Sequence, residues 1–241
     1  MAVLYAVGDR VATITLDRPH RLNAYDVAMR DELWAALAAA ADDPGVRVAI
    51  LRGAGAAFCT GGDLAEFGTA PSPLVARSVR FARDVPGLLA RFTKPIVAAV
   101  HGYVVGGGLE MALLADVAIA AAGARFRLPE VGLGMIPGVG GTQTLPRAVG
   151  RGRAADVVLT RRWLDAAEAL AMGIVTRVVA PDALAAEAEA IAAAIARLAP
   201  ALVRSTRRAV CDGLDLPVAA GLALETRLAL TAGATHARET A

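Results

Sequence analysis

Lysine is almost missing from this chain: Lys94 is the only one among 25 Lys and Arg residues, which face 23 acidic residues for a net charge of +2. The arginines are scattered and carry no interleaved aromatics, so they do not make the basic stripe that a nucleic acid requires. The pairs Arg161-Arg162 and Arg207-Arg208 read as solvated helix ends. Aromatics make up only 4% of the chain. No apolar run reaches about 18 residues without a charge or a glycine cluster, which excludes a membrane-spanning helix. The opening MAVLYAVGDRVATITLDRP has neither the basic nor the continuous apolar stretch of an export signal, so a cytoplasmic protein is expected. Cysteine occurs twice, at Cys59 and Cys211, without CxxC spacing. That excludes a disulfide framework and a cysteine metal site. Of three histidines, His20 and His236 read as exposed loop or terminal residues, and His101 as one that satisfies backbone after a strand.

What is present is Ala, Val and Leu. The 241 residues are 56% hydrophobic, with a mean hydropathy of +0.51. That is enough for a substantial core in an α/β chain. Met111, Met135 and Met172 read as core filler. Val3 to Val7 and Val11 to Leu16 alternate around Gly8-Asp9 as a hairpin. Asn23 or Asp26 caps a helix to about Ala41, which DDPG stops. Val46 to Arg52 is a strand, followed by Thr60-Gly61-Gly62 and by Asp63 at a helix start. GTAPSP, 68–73, reads as a loop over a site, and Leu74 to Phe92 as a helix broken at Pro86. Strands over Val117 to Ala120 and Ile174 to Val179 and helices over 141–149, 152–159 and 163–173 complete a core of residues 1–180. From 181 to 241 everything is helical, and no tandem period is present.

The stretch from Lys94 to Gly141 carries the chemistry. Ile96 to Val100 is short, apolar and partly β-branched, a strand buried on both faces. Gly106, Gly107 and Gly108 precede a run of helix formers, Leu109 to Leu114. Glycine lets a ligand approach the backbone, and the unpaired amides of a first helical turn favour negative charge. A developing oxyanion fits there. Thr60-Gly61-Gly62 repeats the pattern as a second donor site. Glu110 lies in the first turn, where the plainer alternative is a carboxylate that only complements the helix dipole. Glu130 sits in the apolar Gly/Pro loop RLPEVGLGMIPGVGG, an unusual place for a surface glutamate. Two carboxylates in such a site can divide acid and base roles. Asp116 reads as a turn-former rather than a reactive group.

Taken in order, ITLDRPHRLNA, AFCTGGDLAEF, VHGYVVGGGLEMALLADVAIA, FRLPEVGLGMIPGVGGTQTLPRAVG and LDAAEALAMGIVTRVV resemble the enoyl-CoA hydratase/isomerase, or crotonase, superfamily in its hydratase-like branch. The resemblance implies a crotonase-like spiral of ββα turns with a helical C-terminal trimerisation region, so homotrimers or hexamers. It implies an acyl-CoA thioester substrate whose carbonyl lies between the amides of Gly62 and Gly107, with Glu110 and Glu130 handling water and the C2 proton. Arg21 and Ala24 would touch the adenine side of CoA, and Thr60, Gly61, Asp63 and Leu64 would line the substrate. Gly138 would add a donor near the water. Coenzyme A enters as part of the substrate, and no metal or redox cofactor is implied.

The expected reaction is hydration of a 2-enoyl-CoA to a 3-hydroxyacyl-CoA. The alternatives are a double-bond isomerase, which needs only the glutamate at 130, and a hydratase or dehydratase of a branched or cyclic acyl-CoA. Thr60 and Gly62 replace commoner alanines and are expected to leave room for a bulkier acyl group. Relatives usually continue past a segment like ATHARETA into a basic, aromatic tail over the adenine; here either a weaker affinity for CoA or contacts from arginines elsewhere are expected. A nucleotide-binding module is the reading from another class. It is disfavoured because Gly132-x-Gly134 and Gly138-x-Gly140 do not directly follow a strand, and no GKS or GKT occurs.

Overall fold

The structure is a computed structural model that describes residues 1–239, with the side chains of all but 80, 81 and 234–239. In chain order it holds β1 (Val3–Gly8), β2 (Val11–Leu16), α1 (Val27–Asp42), β3 (Val48–Gly53), α2 (Pro73–Ala82), α3 (Val85–Ala90), β4 (Ile96–Val100) and β5 (Tyr103–Val105). These are followed by α4 (Gly107–Leu113), β6 (Val117–Ala121), β7 (Arg125–Arg127), α5 (Gly141–Val149), α6 (Arg151–Thr160), β8 (Leu164–Asp165) and α7 (Ala166–Met172). Last come β9 (Arg177–Val179), α8 (Leu184–Ala196), α9 (Pro200–Gly213) and α10 (Val218–Glu239).

The β1–β2 hairpin turns through Asp9 and Arg10 at φ 49° and 67°, the mirror-image turn that matches strand twist. From there the large sheet runs β1-β2-β3-β4-β6-β9, parallel beyond the first pair. Its alternating side chains make two cores. Ala49, Leu51, Ala98 and Val100 pack with α1, α3 and α4, while Val48, Ile50, Val97 and Ile119 pack with Leu184, Ala188, Ala192 and Ala196 of α8. Each fully buried Val, Leu or Ile contributes roughly 1.5–3 kcal/mol. Beneath lies a second layer, β5-β7-β8, which bridges between Cys59 and Val104 and between Tyr25 and Gly62 extend.

The chain therefore repeats one move. A strand enters the large sheet, a short extended piece follows in the second layer, and then a helix or turn leads back. This is the spiral of ββα turns that the resemblance implies. Its consequence is positional: Tyr25 and Gly62 lie in second-layer bridges and Gly107 and Glu130 come just after β5 and β7, so they arrive close together.

Several boundaries differ from expectation. The break in 74–92 falls at Arg83 and Asp84, because Pro86 is tolerated in the first turn of α3. The short strands β5, β7 and β8 were not anticipated, since two or three residues carry no readable period. Asp26, not Asn23, caps α1 and accepts from the Met29 amide at 2.8 Å. Arg207 is not a solvated helix end; its Nε donates to Asp116 Oδ1 at 2.7 Å, while Oδ2 takes the Ile96 amide at 2.8 Å, tying α9 to β4. Lys94 closes the end of α1, donating to the Ala40 and Asp43 carbonyls at 2.7 and 2.6 Å. His101 meets the Gly55 carbonyl at 2.9 Å, His20 is exposed, and His236 lies outside the described side chains. No helix among the described residues is long and apolar enough to cross a membrane.

Candidate active site

The first donor loop follows β3. Its residues are zipped onto β5: the Cys59 amide donates to Tyr103 at 3.2 Å and the Val105 amide to Cys59 at 2.9 Å. Gly61 then turns at φ 89°, its amide 3.4 Å from Cys59 Sγ. The Tyr25 amide donates to Gly61 O and the Asp63 amide to Tyr25 O, both at 2.8 Å. The amides on either side of Gly62 are thus engaged, and the Gly62 N–H points along the opposite edge of this pairing. The second donor is Gly107, the first residue of α4, whose N–H has no carbonyl one turn back. The two loops touch. A Cβ on Gly61 would lie 3.2 Å from the Gly107 nitrogen and 3.2 Å from Val105 O. Gly106 between them adopts φ 54°, ψ −128°, a conformation essentially reserved for glycine.

Glu110 is buried one turn into α4. Its Oε1 accepts the Val139 amide at 2.8 Å and the Gly141 amide at 2.7 Å. A Cβ on Gly141 would stand 2.9 Å from both Cγ and Oε1 of this glutamate. Glu130 opens the 3-10 turn Glu130–Leu133 after Pro129 and is also buried. Its Oε1 would be 2.7 Å from a Cβ on Gly106, and its buried Oε2 has no hydrogen-bond partner among the described residues. Burial, opposed by its own backbone amide and reinforced by the charge of Glu110, pushes the Glu130 carboxyl up to about 7. The two acids thus each press on a glycine, Glu110 on Gly141 and Glu130 on Gly106, the first clamped by two amides and the second with one oxygen unpaired among the described residues.

The remaining expected residues fall around this centre. Asp63 caps the next turn through the Ala65 amide at 3.1 Å and pairs with Arg18 at 3.2 Å. The Ala65 hydrogen bond and then Arg18 hold its carboxyl below the usual range. Arg18 also reaches Asp26 at 3.1 Å and the Ala24 carbonyl at 2.6 Å, so it braces the donor loop against the segment that carries Tyr25. Arg21 and Leu64 are exposed, as is Gly138, which directly precedes the amides that hold Glu110. Thr60 donates to the Leu22 carbonyl at 3.2 Å. The room expected beside Gly62 is filled: a Cβ there would be 3.2 Å from Phe67 Cζ and 3.9 Å from Tyr25 Cε2.

Tyr25, Arg18, Val139 and Gly141 were not anticipated. Val139 and Gly141 act through their amides, which no side chain announces. Arg18 and Tyr25 flank the RLNA segment, and their adjacency to the site depends on pairing across layers. A cavity of about 1080 Å³ lies between α9 and the edge of α4 and α5, and includes Leu114, Val139 and Arg207 in its lining. None of Gly62, Gly107, Glu110 and Glu130 lines it, so volume alone would point away from the chemistry. Among the described residues, no three His, Cys, Asp or Glu side chains converge as a metal site needs.

Known proteins share this arrangement of chain. Residues 7–240 match the family model described as Enoyl-CoA hydratase/isomerase. The chain is 40% identical over 225 residues to an (E)-benzylidenesuccinyl-CoA hydratase of Thauera aromatica, covering 92% of this chain and 87% of that protein. It is 40% identical over 234 residues to a protein of Mycobacterium bovis named probable enoyl-CoA hydratase, covering 97% and 90%. A solved enoyl-CoA hydratase subunit I of Geobacillus kaustophilus superposes with a TM-score of 0.92 at 34% identity, over 99% of this chain and 92% of that one. With both its fold and nearly its whole length matched, the chain belongs to the enoyl-CoA hydratase/isomerase family.

Proposed function

We propose that this protein adds water across the C2–C3 double bond of a 2-enoyl-CoA, giving a 3-hydroxyacyl-CoA. The observation that carries this reading is the pair of unlike, electrostatically coupled buried glutamates, beside two amides able to receive an oxyanion. The thioester oxygen sits between the Gly62 and Gly107 amides. Negative charge grows on that oxygen as the enolate forms, so fixed donors stabilise the transition state more than the substrate. Glu110, oriented by two amides, takes a proton from the water that attacks C3. Glu130, protonated over much of the neutral range, delivers a proton to C2.

Neither step calls for a metal or redox cofactor; coenzyme A arrives with the substrate. Hydration that persists after exhaustive dialysis against a chelator is the expected result. An isomerase needs one glutamate at the C2 and C4 protons, and the clamping of Glu110 gives the second one a purpose that isomerisation lacks. Incubation with crotonyl-CoA and longer 2-enoyl-CoAs, followed by loss of the conjugated thioester absorbance, tests the reading. No loss at any chain length, with folded protein, rejects it.

The family's self-association supplies the proposed partner, a homotrimer or a dimer of trimers. Val210, Leu214, Val218, Leu222 and Leu230 of the 200–230 region are all exposed, an apolar surface that a second copy would cover. Light scattering that returns a monomer mass at micromolar concentration would contradict this. The cytoplasm is the proposed compartment, in keeping with two free cysteines; fractionation against a cytosolic marker checks it.

A further inference from the structure

Tyr25 ends the RLNAY segment and leads into α1, and its backbone is fixed on both sides by the 2.8 Å bonds to Gly61 and Asp63. That pairing aims its ring across both donor glycines. A Cβ on Gly107 would collide with Tyr25 Oη and lie 2.9 Å from Cε1 and 3.0 Å from Cζ; one on Gly62 would lie 3.9 Å from Cε2. In a helix the Cα–Cβ bond and the N–H bond both lean toward the N-terminal end. A hydroxyl crowding the Cβ position of Gly107 therefore stands beside the residue that carries this amide, at the N-terminal end of α4. Tyr25 is half-buried as a residue.

We propose that the Tyr25 hydroxyl is a third donor to the thioester oxygen, alongside the Gly62 and Gly107 amides. This rests on the reading of those two amides as the oxyanion site. A phenol O–H rotates about its C–O bond and can accept from one group while it donates to another, so an existing contact of Tyr25 does not bar the role. An enolate oxygen is a stronger acceptor than a thioester carbonyl, so the added bond strengthens as the reaction proceeds and acts on turnover more than on binding. A tyrosine that only packs against the glycines would act on folding instead.

Tyr25→Phe keeps the ring and removes the hydroxyl. Hydration of crotonyl-CoA should lose about 10- to 100-fold in kcat, below the roughly 100- to 1,000-fold typical when a two-donor hole loses one donor. KM should stay within about threefold. The second readout is the thioester C=O stretch of a bound enoyl-CoA labelled with carbon-13 at C1. In the wild type it should fall below its solution frequency, and in Tyr25→Phe it should move part of the way back. A displaced wild-type band with both kcat and band unchanged in Tyr25→Phe overturns the third donor and leaves the two amides standing. An undisplaced wild-type band removes the two-amide reading, and the third donor with it. Tyr25→Leu, which also removes the ring, should lower the melting temperature further without a kcat loss beyond that of Tyr25→Phe; a much larger loss would assign the effect to packing.

Discussion

Glu110 and Glu130 are the same residue type, both buried and close enough for the charge of one to act on the other, yet the chain treats them in opposite ways. Glu110 projects from a helix, and one of its oxygens is held by two amides of the 139–141 loop. Glu130 projects from a 3-10 turn, and one of its oxygens is buried with no donor. Hydrogen-bond supply, rather than residue identity, separates them. An anion that accepts two N–H bonds is held ready as a base, whereas a carboxyl deprived of donors keeps its proton and can serve as an acid.

Removing one acid at a time gives the largest effect. Glu110→Gln and Glu130→Gln should each lower kcat for hydration by about 100- to 10,000-fold, the usual worth of a positioned acid or base. The comparison sharpens with a saturated acyl-CoA in deuterium oxide, where only exchange at C2 is possible. Exchange should survive Glu110→Gln within about tenfold and disappear in Glu130→Gln. Equal losses of exchange in both variants would mean that the two acids share the C2 proton.

The glycines that crowd each acid give the next effect. Gly141→Ala sets a methyl 2.9 Å from Glu110 Oε1, and Gly106→Ala sets one 2.7 Å from Glu130 Oε1. Displacing a reacting group by about 1 Å can cost about 100-fold, and hydration should fall by about that much in Gly141→Ala. C2 exchange in Gly141→Ala should stay near wild type. Gly106→Ala should lose both activities, because its φ of 54° with ψ −128° also strains any side chain there. Exchange lost in Gly141→Ala would show that Glu110 is not separable from Glu130.

Much of this contrast could be read from the chain before its fold. The triple glycine, the Thr60-Gly61-Gly62 loop and the two glutamates announce themselves by residue type in apolar surroundings, and β4 by its short branched run. What could not be read is what surrounds each acid. The clamp on Glu110 comes from backbone amides at Val139 and Gly141, 29 and 31 positions away, and any residue but proline has such an amide. The raised Glu130 carboxyl depends on burial that only tertiary packing creates. The space at Gly62 shows the same limit from the other side, since a small residue suggested room that Phe67 and Tyr25 in fact occupy. Strands β5, β7 and β8 were hidden because pairing, not periodicity, defines elements so short.

A smaller effect is read from pH. Hydration requires Glu130 to carry its proton, which it loses near pH 7, so kcat/KM should fall about tenfold from pH 6 to pH 8. The reverse dehydration uses the same singly protonated pair, with the proton on Glu110, and the reaction neither releases nor takes up a proton, so its kcat/KM should fall in parallel over the same interval. Residual hydration by Glu130→Gln should show no such limb, because an amide does not titrate there. A flat wild-type profile between pH 6 and pH 8 would remove Glu130 from the C2 proton.

The smallest effect is on stability, and it separates the two environments without reference to any reaction. In the folded chain Glu130 holds its proton up to about 7, whereas an unperturbed glutamate releases it at 4.5. Between those values the folded state binds more protons than the unfolded one, so stability falls as pH rises. The benefit of the neutral carboxyl is complete below about pH 4.5 and gone beyond about pH 7. Glutamine is neutral throughout, so Glu130→Gln should match the wild type near about pH 4 and exceed it at about pH 8 by on the order of 1–3 kcal/mol. Glu110→Gln should show no comparable gain, because its amide donors already suit a carboxylate. Thermal melts of the three proteins at the two pH values measure this directly. If Glu130→Gln gains nothing at pH 8, the Glu130 charge is solvated after all, and the contrast between the two glutamates has no physical basis.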